Sequence, residues 1–402
     1  YLILKKGFKK KFAIYATQYG SIDSEFVVPG EDIPTEVPDG IAHFLEHKLF
    51  AKSYGNVFDK FAEFGASANA YTSYTHTAYL FSCTDNFEEN LELLLDFVQE
   101  PYFIEENIEK EKGIIEQELK MYRDDPNWRV LLNLLKAVYE VHPVRKDIGG
   151  TVESIKQIDA DILYRCYNTF YHPENMVLLV IGDFEPDEVL NQIEKNYEQR
   201  EYKPQGDIRR IYPKEPDTVN ESKIEEKLSV SEPLCFMAFK DRNVGFSGEK
   251  LFRKDITTSV LLDMAFGRGS NLYKDLYEDG LIDNRFRVDY DGRKNYGHCI
   301  LGGPTQDPYV LHNRIIEGME KTKDSLDEEI FARIKKKKMG NYVRNLNSPE
   351  FLSSIFISYF FYGINVFRYL DILEKTSFSN VLNRFDELID PRFHSYSIIM
   401  PK

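Results

Sequence analysis

Apolar residues recur along the chain with two periods, and the switch from one to the other marks out most of its elements. Lys11 to Tyr19 mixes apolar and polar positions as a half-buried strand does, and it stops at Gly20. Residues 41 to 49 place Ile41, Phe44 and Leu45 on one arc at ~100° per residue, the mark of a short amphipathic helix. A second short helix is expected from Asn56 to Phe64, stopped by Gly65. Ser67 to Ser82 is rich in β-formers. Helical spacing returns over Asn86–Gln99, Ile104–Tyr122, Trp128–Tyr139 and Asp159–Phe170, with Asp125-Pro126 breaking the second from the third. The apolar run Val177–Ile181 predicts a buried strand, and a helix from Asp187 to Asn196 follows it.

Residues 201–222 are polar and carry Pro204, Pro213 and Pro216, which predicts a linker. Beyond it the same order returns in weaker form. Strands are expected at Ile224–Val230 and Cys235–Phe239, then a long helix Ile256–Phe266, a Gly267-Arg-Gly-Ser270 turn and a short helix through Tyr277. Strands at Arg285–Tyr290 and Gly297–Leu301, several helices between Val310 and Phe385, and a last strand Ser395–Met400 complete the chain. The predicted class is α+β, with two similar α/β-roll halves, each a mostly antiparallel sheet packed by helices: residues 1–200, the linker 201–222, and residues 223–402. The most apolar run, Phe351 to Phe367, is interrupted by Ser353, Ser354, Ser358, Gly363 and Asn365 and is expected to be a core helix, not a membrane span.

Composition narrows the function classes. With 402 residues, 42% hydrophobic and 29% charged, the chain can bury a sizeable core. A net charge of −15 leaves no basic surplus for phosphates, which argues against a nucleic-acid partner. Cys83, Cys166, Cys235 and Cys299 lie far apart without Cys-x-x-Cys spacing and are expected to be buried thiols in a reducing, cytoplasmic setting. Tyr1 in place of Met suggests a start inside a longer chain. Lys335 to Lys338 is expected to be a solvated helical face.

The candidate chemistry lies in His43-Phe-Leu-Glu-His47. His43, Glu46 and His47 cluster on the side of the helix opposite its apolar arc. Two imidazoles can hold one metal ion, and an adjacent carboxylate can take a proton from its water. The order His-x-x-Glu-His is a known catalytic arrangement. A third ligand is available on the helix Ile104–Tyr122. There Glu111 and Glu118 fall at the margin of the apolar stripe formed by Ile104, Ile108, Ile115, Leu119 and Tyr122, while Glu105, Glu106, Glu109 and Glu116 lie outside it. Seven residues of helix rise about 10.5 Å, too far for both carboxylates to reach one ion. One would ligate and the other would support it.

These residues resemble the inverted zincins of the pitrilysin, insulin-degrading enzyme and mitochondrial processing peptidase family, and among them the bacterial zinc-bearing subunits most of all. Further landmarks are Gly20-Ser21, Asn69-Ala-Tyr-Thr72 and Tyr171-His-Pro-Glu-Asn-Met176. The resemblance implies that Glu118, 71 residues after His47, joins His43 and His47 on one Zn²⁺ per chain. It further implies that Glu111 supports from behind and that Glu46 is the catalytic base. It also implies that Asn69 and Ala70 bind peptide backbone by strand addition. His76, His142 and His172 are read as structural. Active members of the family carry an Arg and a Tyr in the second half. Here those places align with Tyr277 and Asp283, so the pair is expected from a second, homologous subunit, in a heterodimer or, as the alternative, a homodimer. The function expected is zinc-dependent endopeptidase action on short or unfolded peptides in a clamshell chamber. An inactive scaffold or a peptide-binding relative is the alternative.

Overall fold

The computed structural model describes residues 1–402, which form two compact units. The first comprises residues 1–120, 147–212 and 348–358. Its five-stranded sheet runs, edge to edge, Leu2–Leu4, Met176–Gly182, Lys11–Thr17, Thr77–Cys83 and Ser67–Thr72. Only the first pair is parallel. Lys11–Thr17 is the central strand, and Phe12 to Thr17 are all buried, so it is covered on both faces rather than half-buried as its sequence suggests. The expected β-rich stretch 67–82 resolves into the two strands Ser67–Thr72 and Thr77–Cys83.

The second unit comprises residues 121–146, 213–347 and 359–402. Its sheet runs Lys223–Leu228, His394–Pro401, Leu234–Lys240, Gly297–Pro304 and Arg287–Gly292, again with only the first pair parallel. Strand for strand this is the order and sense of the first sheet. The two halves therefore share one topology, as their repeated element order predicts. In each sheet the last strand is an open edge.

The units are not contiguous in sequence, as a simple division at residues 201–222 would make them. Helix Pro126–Val138 lies in the second unit and buries Val130, Leu134, Leu135, Ala137 and Val138 against that unit's sheet. Residues 348–358 belong to the first unit. Nor is 201–222 a free tether. Arg209–Arg210 pairs with Glu25–Val27, Tyr212 donates to Asp23, and Glu215 accepts the backbone N–H groups of Glu140, Val141 and His142. The apolar run at 351–367 is helical only over Pro349–Phe360, where Leu352, Ser353 and Ile357 are buried after Pro349, and it is thus a half-buried helix, not a core one. Lys335 to Lys338 is a solvated face in part: Lys336 and Lys337 are exposed, Lys337 while bonded to Asp263, whereas Lys335 donates to the carbonyls of Glu374 and Thr376 and Lys338 to Ser259. All four cysteines are free and buried. No helix is long and apolar enough to cross a membrane.

Candidate metal centre

The helix Ile41–Leu49 seats Ile41, Phe44, Leu45 and Leu49 in the first unit's core and leaves His43 and His47 at the margin. Its start is fixed by a close crossing of two backbones. Gly40 has φ 91°, and a Cβ there would lie 2.3 Å from the carbonyl oxygen of Gly149, so only glycine fits. Lys48, on the buried side, reaches across 3.2 Å to the carbonyl of Asn107. That bond ties this helix to the one carrying the glutamates, Glu105–Asp124.

The two helices bring His43, His47 and Glu118 together with one ligand atom from each lying within 4.8 Å of the others. His43 Nε2 is 3.8 Å from Glu118 Oε1 and His47 Nε2 is 3.5 Å from Glu118 Oε2. Two imidazole nitrogens facing one carboxylate form the N, N, O set typical of a hydrolytic zinc centre. Behind it, His47 Nδ1 meets Glu111 Oε1 at 3.1 Å, the kind of carboxylate contact that fixes a ligating imidazole's tautomer and direction. The donor set and its support therefore fit a zinc ion. Of the six glutamates at 105, 106, 109, 111, 116 and 118, these two face the histidines.

The electrostatics separate the two imidazoles. Burial, with a smaller push from His47, lowers the His43 pKa to about 3, so this ring stays neutral and can act as a ligand. Burial also pushes His47 down, but the bond to Glu111 and the charges of Glu46, Glu111 and Glu118 outweigh it and leave its pKa raised. Glu46 is buried, and burial raises its pKa against the opposing effect of a hydrogen bond from Thr72. That bond, Thr72 Oγ1 to Glu46 Oε2 at 2.6 Å, holds one carboxylate oxygen in place.

Asn69 and Ala70 lie on the edge strand Ser67–Thr72, opposite Leu80 and Tyr79 of its single neighbour. The Ala70 N–H is bonded to the Asn69 side-chain oxygen at 2.9 Å, not to the neighbouring strand. Thr72 is the residue that sequence reasoning passed over as a landmark only. Its one signal is position: two residues beyond Ala70, it projects from the same face of the strand. His76 is held by Ser73 and Tyr71, while His142 and His172 each cap a short turn through Nδ1, in agreement with structural roles. Tyr277 is exposed on Asn271–Glu278, and Asp283 is bonded to Arg285, which also pairs with Glu232.

Residues 34–152 match the family model described as insulinase (peptidase family M16), and residues 157–338 match the peptidase M16 inactive domain. The chain belongs to the M16 family. It is 42% identical to the "Uncharacterized zinc protease YmfH" of Bacillus subtilis over 402 residues, covering all of this chain and 94% of that protein. A crystal structure of an M16-like peptidase from Alicyclobacillus acidocaldarius superposes with TM-score 0.96 at 38% identity, covering all of this chain and 95% of that one. The probable mitochondrial-processing peptidase subunit beta of Arabidopsis thaliana is 28% identical over 171 residues, 41% of this chain and 32% of that protein.

Proposed function

We propose that this chain is a zinc-dependent endopeptidase that hydrolyses short or unfolded peptides, one Zn²⁺ being held by His43, His47 and Glu118. The observation that carries this is the convergence of those three side chains beside a buried, hydrogen-bonded Glu46. Relatives named as zinc proteases support it. Zinc, when bound, supplies a Lewis acid that polarises a carbonyl and acidifies water. Glu46 takes the proton of the attacking water on its free oxygen while Thr72 holds the other, and passes that proton to the leaving amine. Glu111 keeps His47 in the ligating tautomer. An extended peptide adds alongside Ser67–Thr72, and the Asn69 side chain gives up the Ala70 N–H to the peptide backbone.

The substrate pair of Arg and Tyr comes, in this proposal, from a homologous second subunit, because Tyr277 and Asp283 stand where it would be. A relative named as a subunit supports the idea of an assembly. Free buried cysteines support a cytoplasmic place of action. The deciding experiment is Glu46→Gln: zinc content by mass spectrometry should equal that of the wild type while cleavage of a quenched peptide falls by at least about a hundredfold. Retained cleavage would remove Glu46 from the chemistry. Zinc bound without any cleavage by the wild type, with its partner present, would leave a peptide-binding scaffold.

A further inference from the structure

The second unit contains a pair of histidines that the peptidase chemistry does not use. His312 sits on helix Pro308–Glu317 and His394 opens the strand His394–Pro401. Their Nε2 atoms are 3.0 Å apart. Their ring centroids are 5.3 Å apart with planes 25° from parallel, so the two nitrogens point at each other nearly head-on.

The other nitrogen of each ring decides what these two can be. His394 Nδ1 is bonded to the carbonyl oxygen of Pro391. A carbonyl only accepts, so this Nδ1 carries the ring's hydrogen and Nε2 of a neutral His394 presents a lone pair. His312 Nδ1 lies 3.0 Å from Asn313 Oδ1, and with that oxygen accepting its hydrogen the Nε2 of His312 presents a lone pair too. In that pairing two lone pairs face each other at 3.0 Å, an arrangement that a cation bound by both relieves. Oxygen acceptors on both Nδ1 atoms are also what ligating histidines ordinarily have behind them.

We propose that His312 and His394 form a second metal site, which takes a divalent transition ion of the zinc, nickel or copper class. Imidazole nitrogens favour these ions. At metal–nitrogen lengths of about 2.0–2.1 Å a tetrahedral ion needs the nitrogens a few tenths of an ångström farther apart and turned from head-on, which side-chain rotation supplies. The Tyr396 ring, stacked on His312 at 4.0 Å, walls one side. Both histidines are half-buried, so water can complete the coordination. With two protein ligands in place of three, this site binds more weakly than the one at His43, His47 and Glu118. Its effect is to clip the helix to the last strand of the second sheet.

Zinc uptake by the whole chain tests this without any appeal to peptidase activity. Calorimetric titration of metal-free wild type with zinc should give a tight and a weaker equivalent. His312→Ala and His394→Ala should each lose only the weaker one, and His43→Ala only the tight one. Added zinc should then raise the Tm of His43→Ala but not of a double variant lacking His312 as well. If His394→Ala disturbs its strand, judged by circular dichroism, His312→Ala on the helix surface carries the test. Equal uptake by wild type and His312→Ala would overturn the proposal and leave a pair that only shares a proton. Failure of the proposed zinc centre at His43, His47 and Glu118 looks different: wild type would take a single equivalent, kept in His43→Ala and lost in His312→Ala.

Discussion

Thr72 and Glu111 make separable contributions to the proposed centre, because one touches the base and the other touches a ligand. Removing the Thr72 hydroxyl leaves Glu46 buried with one oxygen unanchored, so Thr72→Val should lower kcat by roughly tenfold to a hundredfold, the worth of a hydrogen bond to a charged group. Its zinc content should not change. Glu111→Gln removes the charge behind His47 and should weaken zinc affinity by about 10–100-fold. Competition with a chelator measures it. If both variants lost metal equally, the division of labour between them would fail.

A different residue contributes to the pH response of the second unit. Asp255 is buried on the long helix Gly248–Phe266, and its Oδ1 has no hydrogen-bond partner. Arg293, Lys254, Asp291 and Tyr359 face it. Burial raises its pKa from 3.8 to about 7, against the opposing pull of Arg293. The folded chain therefore holds this proton more tightly than the unfolded chain. The contribution is fully present below about pH 4 and is lost as pH rises through about 7, a change on the order of a few kcal/mol. Asp255→Asn should flatten that part of the stability–pH curve. Denaturant midpoints between pH 4 and 8 would show it.

At the scale of elements, the register of the metal helix depends on its first turn. Gly40→Ala combines a left-handed φ with a collision against the Gly149 backbone. It should cost more than about 1 kcal/mol and shift the start of Ile41–Leu49, weakening zinc binding along with stability. A variant with unchanged affinity and midpoint would mean that the crossing can relax. Gly149→Ala is a useful companion, since its Cβ would press on Leu119 at 2.9 Å, one residue beyond Glu118.

Elements are also where the sequence was most and least legible. The arcs holding His43, Glu46 and His47, and Glu111 and Glu118 on theirs, follow from helical periodicity alone, and the structure brings the histidines and these two glutamates to one place. That the second half repeats the element order of the first was legible, but the order of strands within each sheet was not, and the short edge strand Leu2–Leu4 was missed. Periodicity says which face of a helix is apolar but not which sheet will cover it, and so Pro126–Val138 carried no sign that it belongs to the second unit. Proline and polar content in residues 201–222 pointed to a tether because the acceptors that pin it, such as Asp23, are distant in sequence. In the Lys335–Lys338 run the exposed pair Lys336 and Lys337 was legible, while the partners of Lys335 and Lys338, the carbonyls of residues 374 and 376 and Ser259, meet them only once folded.

For the whole molecule, the question is whether one chain suffices. On the proposed function the first unit supplies the base, the ligand set and an open strand edge. On the resemblance, the Arg and Tyr pair of active members falls here at Tyr277 and Asp283, so the proposal takes the pair from a second subunit. In the second unit Arg285, the nearest candidate, is engaged by both Asp283 and Glu232. A guanidinium forked between two carboxylates has fewer free N–H groups to offer a developing oxyanion. Peptide cleavage by the purified chain should accordingly be slow, and adding a homologous subunit that carries the free Arg and Tyr should raise kcat/KM by at least about a hundredfold, the usual worth of one oxyanion donor. Substituting Arg in the partner should abolish the gain without altering zinc content here. If the chain alone cleaved as fast as the mixture, the divided site would be wrong, and Asp283→Asn, which loosens one hold on Arg285, would be the variant to test for a site completed within a single chain.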